Sequence, residues 1–237
     1  MKIDFSSSSR STRGPVLLIL RWIKTLYDLI AYVLCPPLCY SCRGHCPFRV
    51  ILCQQCEESL ELIVPKMFQL NNSYILTVYA VSRYTEPLRP MLFAKYRSDP
   101  AVIEKLAELI WKKSVVSLVH VDCFIPIPLH WTRQVKRGFN QSQLIAQSLS
   151  NYSKIPVVDA LQRVKKTEYQ VKVEQVDRRC NVKGAFELAQ FDFDIAGKHI
   201  MLVDDSCTTG STAIEAAKVF IKLKPASINM VVACRAL

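Results

Sequence analysis

The scarce features of this sequence narrow its reading first. Six glycines and twelve prolines in 237 residues are too few for a fibrous or low-complexity chain. No Gly-x4-Gly-Lys-Ser/Thr run occurs, which excludes a Walker-type nucleoside triphosphatase. A membrane span needs roughly 20 residues with few or no charges. The most apolar run here, PVLLILRWIKTLYDLIAYVL at 15–34, is interrupted by Arg21, Lys24 and Asp28. The polar start MKIDFSSSSRSTRG, with no small-residue cleavage site after the apolar run, argues against a secretory signal. Acidic residues are the scarcer sign: 20 Asp and Glu face 31 Lys and Arg, a formal charge of +11. That excess favours an anionic partner, whether nucleic acid, a phosphorylated metabolite or an acidic membrane face. Half the residues are apolar and 22% are charged, so the chain can bury a core and wholesale disorder is excluded.

Cysteine is plentiful, with ten residues, six of them between Cys35 and Cys56. Cys39-x2-Cys42 and Cys53-x2-Cys56 form two knuckles ten residues apart. Four thiolates at this spacing close a tetrahedral Zn²⁺ site, two sulfurs coming from each tight turn. A disulfide-stapled secreted domain would need an oxidising compartment, which the polar start does not support. Residues 35–60 hold few core-forming side chains, so a structural metal, worth on the order of 10–16 kcal/mol, would supply the missing stability. A closed four-thiolate site leaves no open coordination position and is structural. Cys35 and Cys46 are spare thiols in the same stretch, and ligand exchange among the six stays open.

Residues 1–14 read as a disordered tail and 15–34 as an amphipathic helix with Arg21, Lys24 and Asp28 on a narrow polar stripe. That helix is expected to dock on the protein body, with a membrane surface as the alternative. Residues 35–65 form the cysteine module and 66–237 the remaining domain. In the latter, strands are expected at Tyr74–Tyr84, 121–128, near Ile155–Val158, at 199–205 and at 228–234. Helices are expected at 87–97, at 100–118 with Val102, Leu106, Leu109 and Ile110 on one face, at 138–150, and from Thr212 to Leu223. Alternating strands and helices imply an α/β fold with a parallel sheet flanked by helices.

The most informative run is Asp204-Asp205-Ser206-Cys207-Thr208-Thr209-Gly210-Ser211-Thr212, at the end of a buried strand. This is the carboxyl edge of a parallel sheet, where open α/β folds bind ligands. Backbone N–H groups at the start of the following helix form an anion cradle, and Gly210 lets the chain approach a phosphate. Thr208, Thr209, Ser211 and Thr212 add hydroxyl donors. Asp204 and Asp205 would be repelled by that phosphate and should face sugar hydroxyls, a divalent cation, or both. A ribose 5-phosphate fits.

This run resembles the pyrophosphate-ribose signature of type I phosphoribosyltransferases. From Cys39 onward, about 200 residues resemble the ComF family, the ComFC/GntX-type proteins. The resemblance rests on Pro126-Ile-Pro-Leu-His130 leading into Arg137-Gly-Phe-Asn-Gln141, on Gln170–Asn181 with Arg178-Arg179, on Lys95-Tyr96-Arg97, and on the two knuckles. Departures are Ser206 in place of an apolar residue, Arg43 where a glycine often stands, and a longer N-terminus. The resemblance implies a type I phosphoribosyltransferase-like sheet preceded by a small zinc ribbon. It also implies a ligand site for phosphoribosyl pyrophosphate with Mg²⁺, in which Asp204, Asp205 and Arg137 would be the catalytic group.

Between Ile125 and Ala189 there are 11 Lys and Arg against 5 Asp and Glu. Arg133, Lys136 and Arg137 follow the first sheet strand, and Arg178 and Arg179 lie where the superfamily keeps a hood over the site. These cations would hold the pyrophosphate arm. The same pattern suits single-stranded DNA, with Trp131, Phe139 and Tyr169 as candidate stacking platforms. ComF-type proteins are associated with DNA uptake during natural competence. Two functions therefore stand: an enzyme or degenerate enzyme binding phosphoribosyl pyrophosphate, and a non-catalytic DNA-handling factor that works with the uptake machinery. Either places the protein in the cytoplasm, with 15–34 as the segment able to meet the inner face of the membrane.

Overall fold

A computed structural model describes residues 22–23, 26, 36–47, 50–94, 100–129, 138–165 and 182–236. Its centre is a sheet whose two longest strands, β2 (Ile75–Arg83) and β8 (Ser227–Arg235), run parallel with Leu76 opposite Ile228. The strand order is β1-β2-β8-β6-β3, where β1 is Lys66–Gln69, β3 is Cys123–Pro126 and β6 is His199–Val203. Only β1, on the edge, is antiparallel to its neighbour. Every residue of β3 and residues 228–235 of β8 are buried, as strands covered on both faces must be. This is a mixed α/β fold with a mostly parallel sheet.

Two apolar clusters cover the two faces. The first gathers helices α2 (Leu88–Ala94), α3 (Pro100–Lys113) and α4 (Gln141–Ser153) over Val81, Val203 and Val231. Helix α3 buries Val102, Leu106, Leu109 and Ile110, the face that its apolar periodicity marks. Full burial of such side chains is worth about 1.5–3 kcal/mol each. The cysteine module, with helix α1 (Gln54–Glu58), joins this cluster through Cys39, Cys46, Leu52 and Leu60. Glu57 of α1 also pairs with Lys105 of α3 at 2.7 Å. The second cluster packs α5 (Ser211–Lys218), Phe220 and Phe186 against Leu76, Leu202 and Met230.

Several expected elements differ in extent. Helix α4 starts at Gln141 and not at Gly138, because Asn140 in extended conformation caps it. Helix α3 stops at Lys113, where Ser114 opens a short 3-10 turn over Val115–Leu118. The helix after Gly210 likewise ends at Lys218 and resumes as a 3-10 turn at Ile221–Leu223. The stretch Ile155–Val158 makes a single bridge, Val157 to Phe124, since Pro156 has no N–H to donate to a ladder. Three short pairings carry no signal in the apolar pattern: β1, the β4 (Leu161–Arg163) and β5 (Phe186–Leu188) hairpin, and β7 (Ser206–Cys207) beside β8.

Among the described residues no helix is long and apolar enough to cross a membrane. Of the 15–34 segment, Trp22, Ile23 and Leu26 are described; they are helical and 72, 58 and 59% exposed. The rest of that segment, and with it the expected docking on the body, lies outside the described residues.

Candidate functional site

The cysteine knuckles come together as their spacing requires. The sulfurs of Cys39, Cys42, Cys53 and Cys56 all lie within 4.8 Å of one another, and Cys42 Sγ is 3.7 Å from Cys53 Sγ. No disulfide joins them. Backbone N–H groups point at the sulfurs, Cys53 N–H at Cys39 Sγ and Gly44 N–H at Cys42 Sγ, each at 3.4 Å. Burial pushes the Cys39 thiol up, but N–H groups of Cys53, Cys42 and Ser41 outweigh it and bring it down to about 6. Burial and the neighbouring thiols push Cys56 up to about 12. Four thiolates this close repel one another and need a cation among them. This donor set fits a tetrahedral Zn²⁺, whose Zn–S bonds of about 2.3 Å put sulfurs near the observed separations. Cys46 is not one of the four mutually close sulfurs; its thiol donates to the Gly44 carbonyl at 3.8 Å and is pushed up by burial and by Cys39. Cys35 lies outside the described residues.

The second site stands at the carboxyl edge of the sheet. Parallel register sets Pro126 of β3 beside Val203 of β6, so the turns leaving the two strands meet at one edge. After Val203, Asp204 N–H bonds the Val231 carbonyl, and the Asp205 carbonyl accepts from Ala233 N–H, so the turn is sewn to β8. Helix α4 supplies the opposite wall. Asn140 accepts from Ser142 N–H at 3.2 Å and donates its amide to the Ile127 carbonyl at 3.1 Å, tying the helix to the end of β3. Ser142 then donates its hydroxyl to Asp204 Oδ1 at 2.7 Å, and that oxygen also accepts Asp205 N–H at 2.9 Å. The Asp205 carboxylate accepts from the Ser206 hydroxyl at 2.6 Å. Asp204 is thereby oriented by a helix far along the chain, and Asp205 accepts from its own turn.

Gly210 has φ of +81° and, as the residue that opens α5, offers no capping side chain; the Thr209 hydroxyl accepts from Ser211 N–H at 3.4 Å. The Thr209 and Ser211 hydroxyls lie 2.9 Å apart, and Thr208 is exposed. The glycine has a structural reason beyond phosphate approach: a Cβ there would meet the Phe68 ring of β1 at 2.5 Å. Cys207, Gly210 and Ser211 are buried, so the loop lies partly inside the core.

Placement therefore divides the expected residues. Asp204, Asp205, Thr208, Thr209, Gly210, Ser211 and Thr212 share one turn, and Cys39, Cys42, Cys53 and Cys56 share one cluster. The basic residues Arg133, Lys136, Arg137, Arg178 and Arg179 lie outside the described residues, as do Lys95, Tyr96, Arg97, Trp131 and Tyr169. Phe139 is half-buried against the first cluster, a packing position and not an open stacking platform. Ser142 was missed. Its only signal was its place directly after Asn140-Gln141, and nothing local ties it to a carboxylate 62 positions on.

No family model matches the chain. Curated relatives do. Competence protein F of Haemophilus influenzae is 35% identical over 150 residues, 60% of this chain and 66% of that protein. DNA utilization protein YhgH of Escherichia coli O157:H7 is 34% identical over 66% of this chain and 71% of its own length. Competence protein ComFC of Bacillus subtilis is 29% identical over 81% of each. Solved structures that match include a UMP synthase from Leishmania donovani, with TM-score 0.33 and 16% identity over 65% of this chain and 27% of that one. A purine phosphoribosyltransferase from Pyrococcus horikoshii has TM-score 0.27 and 20% identity over 59% and 70%. At such scores the structural likeness carries no argument.

Proposed function

The chain belongs to the ComF family of competence and DNA-utilization proteins, and we propose that its 204–212 loop binds a ribose 5-phosphate ligand of the phosphoribosyl pyrophosphate class. The observation that carries this reading is one edge holding three things: two carboxylates, a left-handed Gly210 with no capping side chain of its own, and a helix start whose Ser211 N–H meets, among the described residues, only the Thr209 hydroxyl. N–H groups of the first turn of α5 suit the phosphate, since they and the helix dipole both favour an anion. Asp204, held by Ser142, and Asp205 suit the ribose hydroxyls. Mg²⁺ would join the carboxylate side, neutralising the pyrophosphate arm while Arg133, Lys136 and Arg137 contact its oxygens. Arg178 and Arg179 belong to the same arm in this reading. In the cysteine module Zn²⁺ would serve as a structural ion held by Cys39, Cys42, Cys53 and Cys56.

Titration calorimetry with phosphoribosyl pyrophosphate, with and without Mg²⁺, tests the reading, and release of pyrophosphate reports transfer to an acceptor. Saturable, Mg²⁺-strengthened binding is expected. Absence of binding at every Mg²⁺ level overturns it.

A second reading has its own support in the relatives' names and in the +6 charge between Ile125 and Ala189. Here the basic stretch tracks single-stranded DNA. Phosphate neutralisation releases counterions, so affinity should fall steeply with salt and depend little on sequence. Binding that is flat between low and physiological salt would count against it.

A further inference from the structure

The 204–212 loop has a third wall, on the side away from α4. Lys66 and Phe68 are two apart on β1 and so share a face; both are half-buried, while Met67 between them is 69% exposed. The Phe68 ring fills the space a Gly210 side chain would take, and the Lys66 ammonium stands 5.6 Å from the centre of that ring. Arg235 lies opposite Cys207 in the register of β7 and β8 and is 7% exposed. One guanidinium nitrogen donates to the Val64 carbonyl at 3.0 Å, and the buried Nε reaches no acceptor. Arg83, the register partner of Arg235 on β2, also has a buried Nε without an acceptor, and its ion pair at 3.3 Å is with the exposed Glu61.

Both Lys66 and Arg235 reach the loop electrostatically. Burial pushes the Cys207 thiol up to about 11 and Asp204 adds to this, while Arg235 and Lys66 act in the opposite sense. Neither cation has a carboxylate at ion-pair distance among the described residues. A buried guanidinium with an idle donor is costly unless an acceptor meets it.

We infer that Lys66 and Arg235 form a subsite for a terminal phosphate, a phosphomonoester held between them and the N–H groups that open α5. The inference rests on the reading that this loop binds a ribose phosphate, and it adds which residues neutralise the phosphate. A phosphomonoester carries up to two negative charges and three acceptor oxygens. It can therefore take a hydrogen-bonding fork from arginine and a point charge from lysine at once. The ligand is a phosphate-bearing terminus, supplied either by free ribose 5-phosphate or by the 5′-phosphorylated end of single-stranded DNA.

The test is calorimetric titration of the full chain and of Lys66→Gln, Arg235→Lys and Asp205→Asn. The titrants are ribose 5-phosphate, ribose, and one oligonucleotide bearing either a 5′-phosphate or a 5′-hydroxyl. Lys66→Gln should weaken the phosphorylated titrants at least tenfold and leave the 5′-hydroxyl oligonucleotide unchanged. Arg235 also anchors Val64, so thermal melting of Arg235→Lys accompanies its titration, and Lys66→Gln on the half-buried edge strand decides if that variant does not fold. Loss confined to ribose 5-phosphate identifies a small ligand, and loss confined to the 5′-phosphorylated oligonucleotide identifies a DNA end; either supports the subsite. If Lys66→Gln binds as the parent while Asp205→Asn is weakened, the subsite is overturned and the loop's proposed function stands. If the parent binds no phosphorylated titrant, both fall.

Discussion

The cysteine cluster and the 204–212 loop are both tight turns rich in ligating groups, yet they are assembled in opposite ways. In the cluster two knuckles ten residues apart turn their sulfurs on one another, and every sulfur lies within 4.8 Å of the rest. Its ligand set is complete within one short segment. In the loop the hydroxyls of Ser206, Thr209 and Ser211 bond within the turn, and the opposite wall comes from Asn140 and Ser142, joined only because β3 and β6 are neighbours in the sheet. The first would be held by the metal its sulfurs fit, whereas the second is held by the sheet.

The largest effect should come from breaking the cluster. Cys39→Ser with Cys53→Ser should abolish zinc content by elemental analysis, against one zinc per parent chain. It should also lower the thermal midpoint of the whole protein, because Cys39, Cys46, Leu52 and Leu60 share the main core. Structural zinc is worth on the order of 10–16 kcal/mol in small modules, more than any single contact elsewhere. An unchanged midpoint would make the module an independent appendage.

Gly210→Val ranks next and tests how far the loop depends on the sheet. Forcing a branched residue to φ of +81° costs roughly 1–3 kcal/mol, and the collision with Phe68 adds to it. A lower denaturant midpoint is expected, with part of the loss recovered by Phe68→Ala. If stability is unchanged and only binding suffers, the glycine serves the ligand alone.

Asp205→Asn keeps shape and deletes charge. It should weaken phosphoribosyl pyrophosphate binding by about 1.5–3 kcal/mol, the range for a hydrogen bond to a charged group. That is roughly ten- to hundredfold by titration, with the melting temperature close to the parent's. Ser142→Ala should do less. Asp204 would keep the Asp205 N–H, so a loss of about 0.5–1.5 kcal/mol is expected, seen as a small rise in Kd. An effect as large as that of Asp205→Asn would mean that α4 and the loop act as one unit.

Legibility in the sequence divides along the same line. The knuckles could be read because four ligands at fixed spacing leave one geometry for the chain. Strands β6 and β8 could be read because burial on both faces demands near-continuous apolar runs. Edge strand β1 was not readable: its Lys-Met-Phe-Gln pattern is half polar, and it pairs as a strand only because β2 offers a free edge. The β4 and β5 hairpin escaped for a related reason, since its halves of three residues each are more than twenty positions apart.

Local chemistry thus decided which groups stand together as candidate ligands: thiols at knuckle spacing, and carboxylates and hydroxyls around a glycine turn. These are short-range properties, set by neighbours along the chain. Tertiary packing decided how the carboxylates are oriented, why Gly210 must be glycine, and which cations stand behind the loop. Ser142 meets Asp204, Phe68 meets Gly210, and Arg235 meets Cys207 through strand order and register. Those contacts join residues from 28 to 142 positions apart, a distance over which spacing along the chain fixes nothing until the sheet closes.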